Sequence, residues 1–400
     1  MRSKLTGIPI LLLFFGCEAP PEQAAVKTPA LDTAHISSEI TRLMTAAHVT
    51  GLAITIYQND TVAYMRGFGH AVDSTKRPLL PRTNLYAASL SKAVFGTLVM
   101  KLVHEGVIDL DKPLESYLPQ PIYEYPETDK WHEDFRDLRA DSLYHRITAR
   151  MCLSHTTGFP NWRWYEPDEK LRCKFPPGTR YSYSGEGLTY LQVVLEKITG
   201  RNIEDLMQEK LFKPLGMARS SYLWQPAFED DYALGHDTAG TAYPKDKDND
   251  ARAASTMETT LEDMSRFCEA LLQGKVLDQK SRDAMWSPQI RIRSIKQFGP
   301  LAWMDSTMND DIELSYGLGW GLRKSPLGWG AFKEGHGDGF QDYMILFPEQ
   351  HSGVLIMTNS DNGEGIFKEL LELTIGDRTV PWYWEDYIPY NADPVNEIMR

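Results

Sequence analysis

Strand-like segments lie near both ends of the chain, and that separation constrains the fold more than any other feature of the sequence. GLAITIY (51–57) and TVAYMRG (61–67) flank the turn residues Gln58, Asn59 and Asp60 and read as a hairpin. FQDYMILFP (340–348) and GVLIMTN (353–359), separated by a Glu-Gln-His-Ser turn, read as a second. Between them the signals are helical. After Ser89, apolar residues at Val94, Phe95, Leu98, Val99, Leu102 and Val103 recur at helical spacing. GLTYLQVVLEKITG (187–200) carries a stripe of Leu188, Leu191, Val194, Leu195 and Ile198 and stops at Gly200. Thr259 and Glu262 make a capping-box pattern ahead of Leu261, Met264, Phe267, Cys268 and Leu271, which Gly274 ends. The pattern predicts an α/β (α+β) fold, with an antiparallel sheet from both chain ends, flanked by helices, and a mostly helical domain inserted. Residues 35–105 and 290–380 should form the sheet-containing domain and 106–289 the helical one. Sites commonly form in the cleft between such parts. A hydrophobic fraction of 42% over 400 residues is enough for a core of that size.

The first residues, MRSKLTGIPILLLFFGC, place Arg2 and Lys4 ahead of an apolar run too short to span a bilayer. They read as a secretory signal over 1–16, and Cys17 after Gly16 resembles a bacterial lipoprotein box, so lipidation at Cys17 is expected. A signal cut elsewhere is the alternative. Residues 17–34, rich in Pro and Ala, then form a tether, and the body faces the periplasm or cell surface from a lipid anchor. The aromatic-rich segment 381–400 is expected to pack as an arm on the body or to serve a subunit contact.

With a net charge of -13, the chain is a poor candidate for nucleic-acid binding. KDKDND (245–250) spaces Asp246, Asp248 and Asp250 like a calcium loop, but Ala251 and Met257 stand where Gly and Glu are needed, so it reads as a solvated loop. Cys152, Cys173 and Cys268 form no metal-binding pattern. Cys152 and Cys173 could pair or remain buried thiols. No cofactor and no metal is expected.

Three stretches carry chemistry. Ser89 and Lys92 are three apart at a helix start, so hydroxyl and amine share a face, and a desolvated ammonium there tends to lose its proton. They could also be two ordinary polar residues opening a helix. Tyr183 lies in PPGTRYSYSGEG just before a helix, where a nearby lysine would drive its hydroxyl toward phenolate and a general-base role. A loop tyrosine can equally be a packing residue. His336 lies among glycines in KEGHGDGF, which admit a close substrate approach unless the segment is only a turn.

With LVHEGVIDLDKPLESYLP, ITARMCLSHTTGFP, LFKPLGM and YGLGWGL in the same order, these stretches resemble the serine β-lactamase and penicillin-binding-protein superfamily over roughly residues 40–375. The group is that of class C β-lactamases, D-alanyl-D-alanine carboxypeptidases and β-lactamase-like esterases, and a β-lactamase/transpeptidase-like fold is implied. The resemblance implies Ser89 as nucleophile, Lys92 as its proton partner and Tyr183 as the base that also assists the leaving group. It sets His336 where many relatives carry Lys, and puts an oxyanion hole at the N–H groups of Ser89 and Gly339. Gly185, Gly337 and Asp338 are the candidate substrate-binding positions and also the departures: Gly185 replaces an Asn, and Asp338 a Gly. The implied function is a serine hydrolase acting through an acyl-enzyme on an ester or a D-amino-acid peptide. β-Lactam hydrolysis and a catalytically silent binding lipoprotein are the alternatives. The implied partner is a small-molecule or peptide substrate, with no membrane contact beyond the anchor and the oligomeric state open.

Overall fold

A computed structural model describes residues 31–392, apart from residues 127 and 248. The expected signal segment, Cys17 and most of the tether lie outside the described residues, as does Asp248. Helix α1, Thr33–Ala47, starts slightly before the expected end of the tether and is capped by the Asp32 carboxylate, which accepts from the His35 N–H.

The strands are β1 Gly51–Gln58, β2 Thr61–Val72, β3 Arg77–Pro78, β4 Asn84–Tyr86, β5 Glu258–Thr260, β6 Ile290–Arg291, β7 Ser315–Tyr316, β8 Gly321–Ser325, β9 Gly328–Gly337, β10 Phe340–Phe347 and β11 Ser352–Thr358. Nine form one sheet in the order β3-β2-β1-β11-β10-β9-β8-β7-β6, and β4 with β5 form a separate ribbon. The two chain ends meet where β1 pairs antiparallel with β11, Ile54 opposite Ile356. In the first hairpin Gln58 pairs with Thr61, so the turn is only Asn59-Asp60, both at positive φ, as a primed hairpin turn requires.

Apolar residues fill both faces of the central strands, which is why GLAITIY reads as an unbroken run. Leu52, Ile54 and Ile56 join Ile36, Ile40 and Leu43 of α1, with Phe367, Leu370 and Leu371 of the helix Phe367–Ile375, in one core. Ala53, Tyr57, Met344 and Leu355 point the other way. They share the larger core with helix α2, Leu90–His104, and with the inserted helices Gly185–Thr199 (α3) and Leu261–Leu272 (α4). The cap of α4 is Thr260, accepting from the Asp263 N–H at 3.0 Å, one residue beyond the expected Thr259, which pairs instead within the β4–β5 ribbon. The described residues from Leu31 onward fall in one compact unit. Cys152, Cys173 and Cys268 are free thiols. Among the described residues no helix is long and apolar enough to cross a membrane, and no group of His, Cys, Asp and Glu could hold a metal ion.

Candidate active site

Helix α2 begins directly after a tight turn. Ala88 has φ +43°, a strained conformation for a residue with a Cβ, and Ser89 follows as the N-cap. The N–H groups of Leu90, Ser91 and Lys92 are taken up by the carbonyls of Ala87, Ala88 and Ser89, so at this end of α2 the Ser89 N–H is the one without an acceptor among the described residues. One turn on, Lys92 is 1% exposed, and its Nζ donates to Ser89 Oγ at 2.9 Å and to the Ala254 carbonyl at 2.7 Å. Burial, and then the charge of Lys333, push the Lys92 ammonium well below the ordinary lysine range against the opposing pull of Glu334.

Tyr183 is fixed by the start of α3. Ser184 caps that helix, accepting from the Gly187 N–H at 2.9 Å; its own N–H donates to His155 Nδ1 at 3.1 Å, and its hydroxyl to the Pro160 carbonyl. The His155 ring lies 4.3 Å from that of Tyr183. His155 is wholly buried and its pKa falls well below the usual value, through desolvation and then through Lys92 and Lys333. A neutral imidazole accepting at Nδ1 thus orients the backbone beside Tyr183. Burial raises the Tyr183 pKa above the ordinary phenol range, while Lys333 and the hydrogen bond from Ser89 oppose the rise.

The lysine that faces Tyr183 from the sheet is Lys333, three residues before the position expected to fill that role. Its Nζ lies 5.0 Å from the Tyr183 ring centroid, equal to the distance of Lys92 Nζ from the same ring. Lys333 is fully buried and donates to the Glu334 carbonyl at 2.9 Å. Desolvation opposes its charge, but Glu334 and Tyr183 outweigh that and raise its pKa. The signal was present as Lys333-Glu334-Gly335, a lysine with a glycine two residues on, entering the same strand as His336.

His336 itself lines the cleft with its side chain 44% exposed and Nε2 3.3 Å from Glu364 Oε1. Burial in the cleft disfavours its charge, yet Glu364 more than compensates and its pKa is raised. Its backbone is placed differently from that of Gly339. Gln341 lies opposite His336 on one side and Thr358 on the other, and its carbonyl accepts from Thr358 Oγ1 at 2.8 Å, so its polar groups face β11. Opposed residues of an antiparallel ladder alternate between exchanging hydrogen bonds and not. The His336 N–H therefore points off β10, along the edge of β9 that β8 leaves uncovered beyond Phe332. The Gly339 N–H, in contrast, donates to Asp361 Oδ1 at 2.9 Å, so the expected second oxyanion donor is already engaged.

The three expected substrate-binding positions have other neighbours. A Cβ on Gly185 would stand 2.4 Å from the Trp162 ring, and one on Gly337 would stand 2.4 Å from Tyr86, so each glycine admits an aromatic ring. Asp338 is exposed in the turn between β9 and β10. It borders a separate cavity of about 250 Å³ with Tyr86, Trp224 and Phe340, which the buried Lys245–Glu258 ion pair also lines. Ser89, Lys92, Tyr183 and His336 are brought together around one cleft of about 790 Å³, walled by Trp162, Phe298 and Trp303.

This geometry agrees with what the chain resembles. Penicillin-binding protein 4* of Bacillus subtilis (strain 168) is 23% identical over 335 residues, which are 75% of this chain and 66% of that protein. Protein flp of Staphylococcus aureus (strain MRSA252) is 21% identical over 78% of this chain and 60% of its own length. The chain thus spans slightly under two thirds of those relatives. Among solved structures, the octameric penicillin-binding protein homologue from Pyrococcus abyssi superposes with a TM-score of 0.68 at 20% identity, over 89% of this chain and 79% of that one. The D-alanine carboxypeptidase AmpC from Burkholderia cenocepacia gives 0.67 at 19%, over 86% and 98%. The Beta-lactamase family model matches residues 36–374, and the chain belongs to that family of serine hydrolases and penicillin-binding proteins.

Proposed function

We propose that this protein is a serine hydrolase that cleaves an ester or a D-amino-acid peptide through an acyl-enzyme on Ser89. The observation that carries the reading is the 2.9 Å contact between Ser89 Oγ and a buried Lys92 whose proton affinity is depressed. Neutral Lys92 takes the Ser89 proton as Oγ attacks the carbonyl carbon. The oxygen of the tetrahedral intermediate is held by the N–H groups of Ser89 and His336. Tyr183, which keeps its proton, passes it to the departing oxygen or nitrogen, and Lys92 restores it to the phenol. Two groups whose environments push their proton affinities apart divide the work of base and acid, with Lys333 holding the phenol oxygen in place. Water then attacks the acyl carbon by the same route in reverse and frees Ser89.

Gly185 and Trp162 favour this reading over efficient β-lactam hydrolysis, because an aromatic ring fills the space that an amide side chain at 185 would need. Periplasmic anchoring through Cys17 remains part of the proposal and is tested by radiolabelled lipid incorporation, lost in Cys17→Ser. The functional test is release of p-nitrophenol from a short-chain ester beside Ser89→Ala, with benzylpenicillin as a probe for a Ser89 adduct by mass spectrometry. Turnover and adduct that both vanish in Ser89→Ala are expected; unchanged turnover in that variant overturns the assignment.

A further inference from the structure

The wall of the cleft beyond Tyr183 is acidic. Glu166, Glu334, Glu364, Glu385 and Asp386 line it, against Lys92, Lys174 and His336. Most of these charges are answered locally. Lys174 meets Glu166 at 2.7 Å, Lys333 meets Glu334 at 3.3 Å, His336 meets Glu364 at 3.3 Å, and Lys296 meets Asp386 at 2.5 Å.

Glu385 differs. It is 9% exposed, its Oε1 is buried with no hydrogen-bond partner, and no cation comes within ion-pair distance of its carboxyl among the described residues. Glu334 Oε2 is a second buried acceptor without a partner, although Oε1 of the same group is held by Gln297 at 2.6 Å. Unpaired buried carboxylate oxygens are costly and call for a counter-charge. Burial and the charge of Glu334 push the Glu385 carboxyl well above the ordinary carboxylate range. Aromatic side chains line the same cleft: Phe298, 5.5 Å from the Tyr183 ring, is 43% exposed, whereas Trp303 already carries Lys174 Nζ 4.5 Å and Arg180 Cζ 5.8 Å from its ring centroid. Acidic groups in a cleft with the open Phe298 ring suit an organic cation, whose charge is attracted both by the carboxylates and by the ring quadrupole.

We propose that the cleft holds a subsite for an organic ammonium group, formed by Glu385 and Glu334 with Phe298. Substrates of the hydrolase would then carry a cation on their leaving-group side. The placement follows from Lys333, which contacts both Tyr183, the proposed leaving-group acid, and Glu334, the first residue of the acidic wall. The substrate preference rests on the hydrolase reading; the binding of a cation does not. A carboxylate-bearing leaving group is disfavoured at the same place, since His336 is already paired with Glu364.

The test compares butyrylthiocholine with its uncharged isostere, 3,3-dimethylbutyl thiobutyrate, by thiol release, and measures choline binding to the Ser89→Ala protein by calorimetry. A kcat/KM ratio of about tenfold or more in favour of the cation is expected, falling to about threefold or less in Glu385→Gln, with choline binding weakened in Ser89→Ala/Glu385→Gln. Equal turnover of the two thioesters, or no choline binding to Ser89→Ala, overturns the subsite; both are read without altering Glu385, so a variant that fails to fold does not decide the matter. Choline binding without turnover of either thioester supports the subsite and counts against the ester branch of the hydrolase reading, whereas equal turnover without choline binding supports that reading and overturns the subsite.

Discussion

Trp162 occupies the space that any side chain on Gly185 would need: a Cβ built there meets ring carbons at 2.4 and 2.6 Å. The ring is held from behind. Arg163 bridges to Glu186 at 2.8 Å, and the Gly185 N–H donates to Asn161 Oδ1 at 3.1 Å, so the loop 160–165 is tied to the first turn of α3. Gly185→Asn should lower stability by about 1–3 kcal/mol through overpacking. It should also perturb the cleft. Urea denaturation checks the first effect, and partial recovery in Gly185→Asn with Trp162→Ala checks that the ring is its cause.

Lys92→Met should separate stability from activity. The folded pKa of Lys92 is depressed, so the unfolded chain holds a proton more readily. The resulting penalty on the native state begins as pH falls below the unfolded lysine value and is complete below the folded one. At neutral pH the variant should melt at a higher temperature than the parent while losing ester turnover by about two orders of magnitude or more. A lowered melting temperature would show that the hydrogen bonds to Ser89 and Ala254 outweigh the desolvation of the amine.

Turnover of an uncharged ester should rise with pH through an acid limb set by the lowered Lys92 pKa, because only the neutral amine accepts the Ser89 proton. Lys92→Arg, which cannot lose its proton at accessible pH, should remove that limb along with the activity. A pH–kcat/KM profile from pH 4 to 9 is the measurement.

His336→Pro and His336→Ala distinguish backbone from side chain. Proline is tolerated where a strand residue's N–H lies outside the ladder. Loss of that single donor should cost about 10²–10³ in kcat, whereas His336→Ala should keep most of the turnover of an uncharged ester. Equal losses in the two variants would assign the effect to the imidazole.

Glu364→Gln should lower the His336 pKa, read from the imidazole proton shifts in NMR. In the native protein the raised pKa contributes stability that is fully present below the unfolded histidine value, about 6.5, and is lost as pH rises through the folded one. The difference in urea midpoint between parent and variant should therefore be larger at pH 5 than at pH 8. The half-exposed imidazole keeps that difference small.

Local patterns fixed much of this protein from the sequence. Strand-like apolar runs and turn residues gave both hairpins, helical stripes gave α2, α3 and α4, and an end-to-end sheet followed from their order. Ser89 and Lys92 were legible because three residues on a helix share a face whatever surrounds them, and Gly200 and Gly274 marked helix ends by their own conformational freedom. Tertiary structure decided what depends on register and on packing between distant segments. Which of Lys333 and His336 meets Tyr183 is set by how far β9 slides past α2, and a strand reverses the facing of its polar groups at every residue. His155 reaches Tyr183 only because loop 155–160 packs against the start of α3. Glu385 enters the cleft only because the C-terminal arm is anchored by Trp384, wholly buried with its Nε1 donating to Ser294 Oγ at 3.1 Å. No periodicity records such a contact, since its residues are remote in the chain and their energies come from desolvation, which exists only once the core has closed around them.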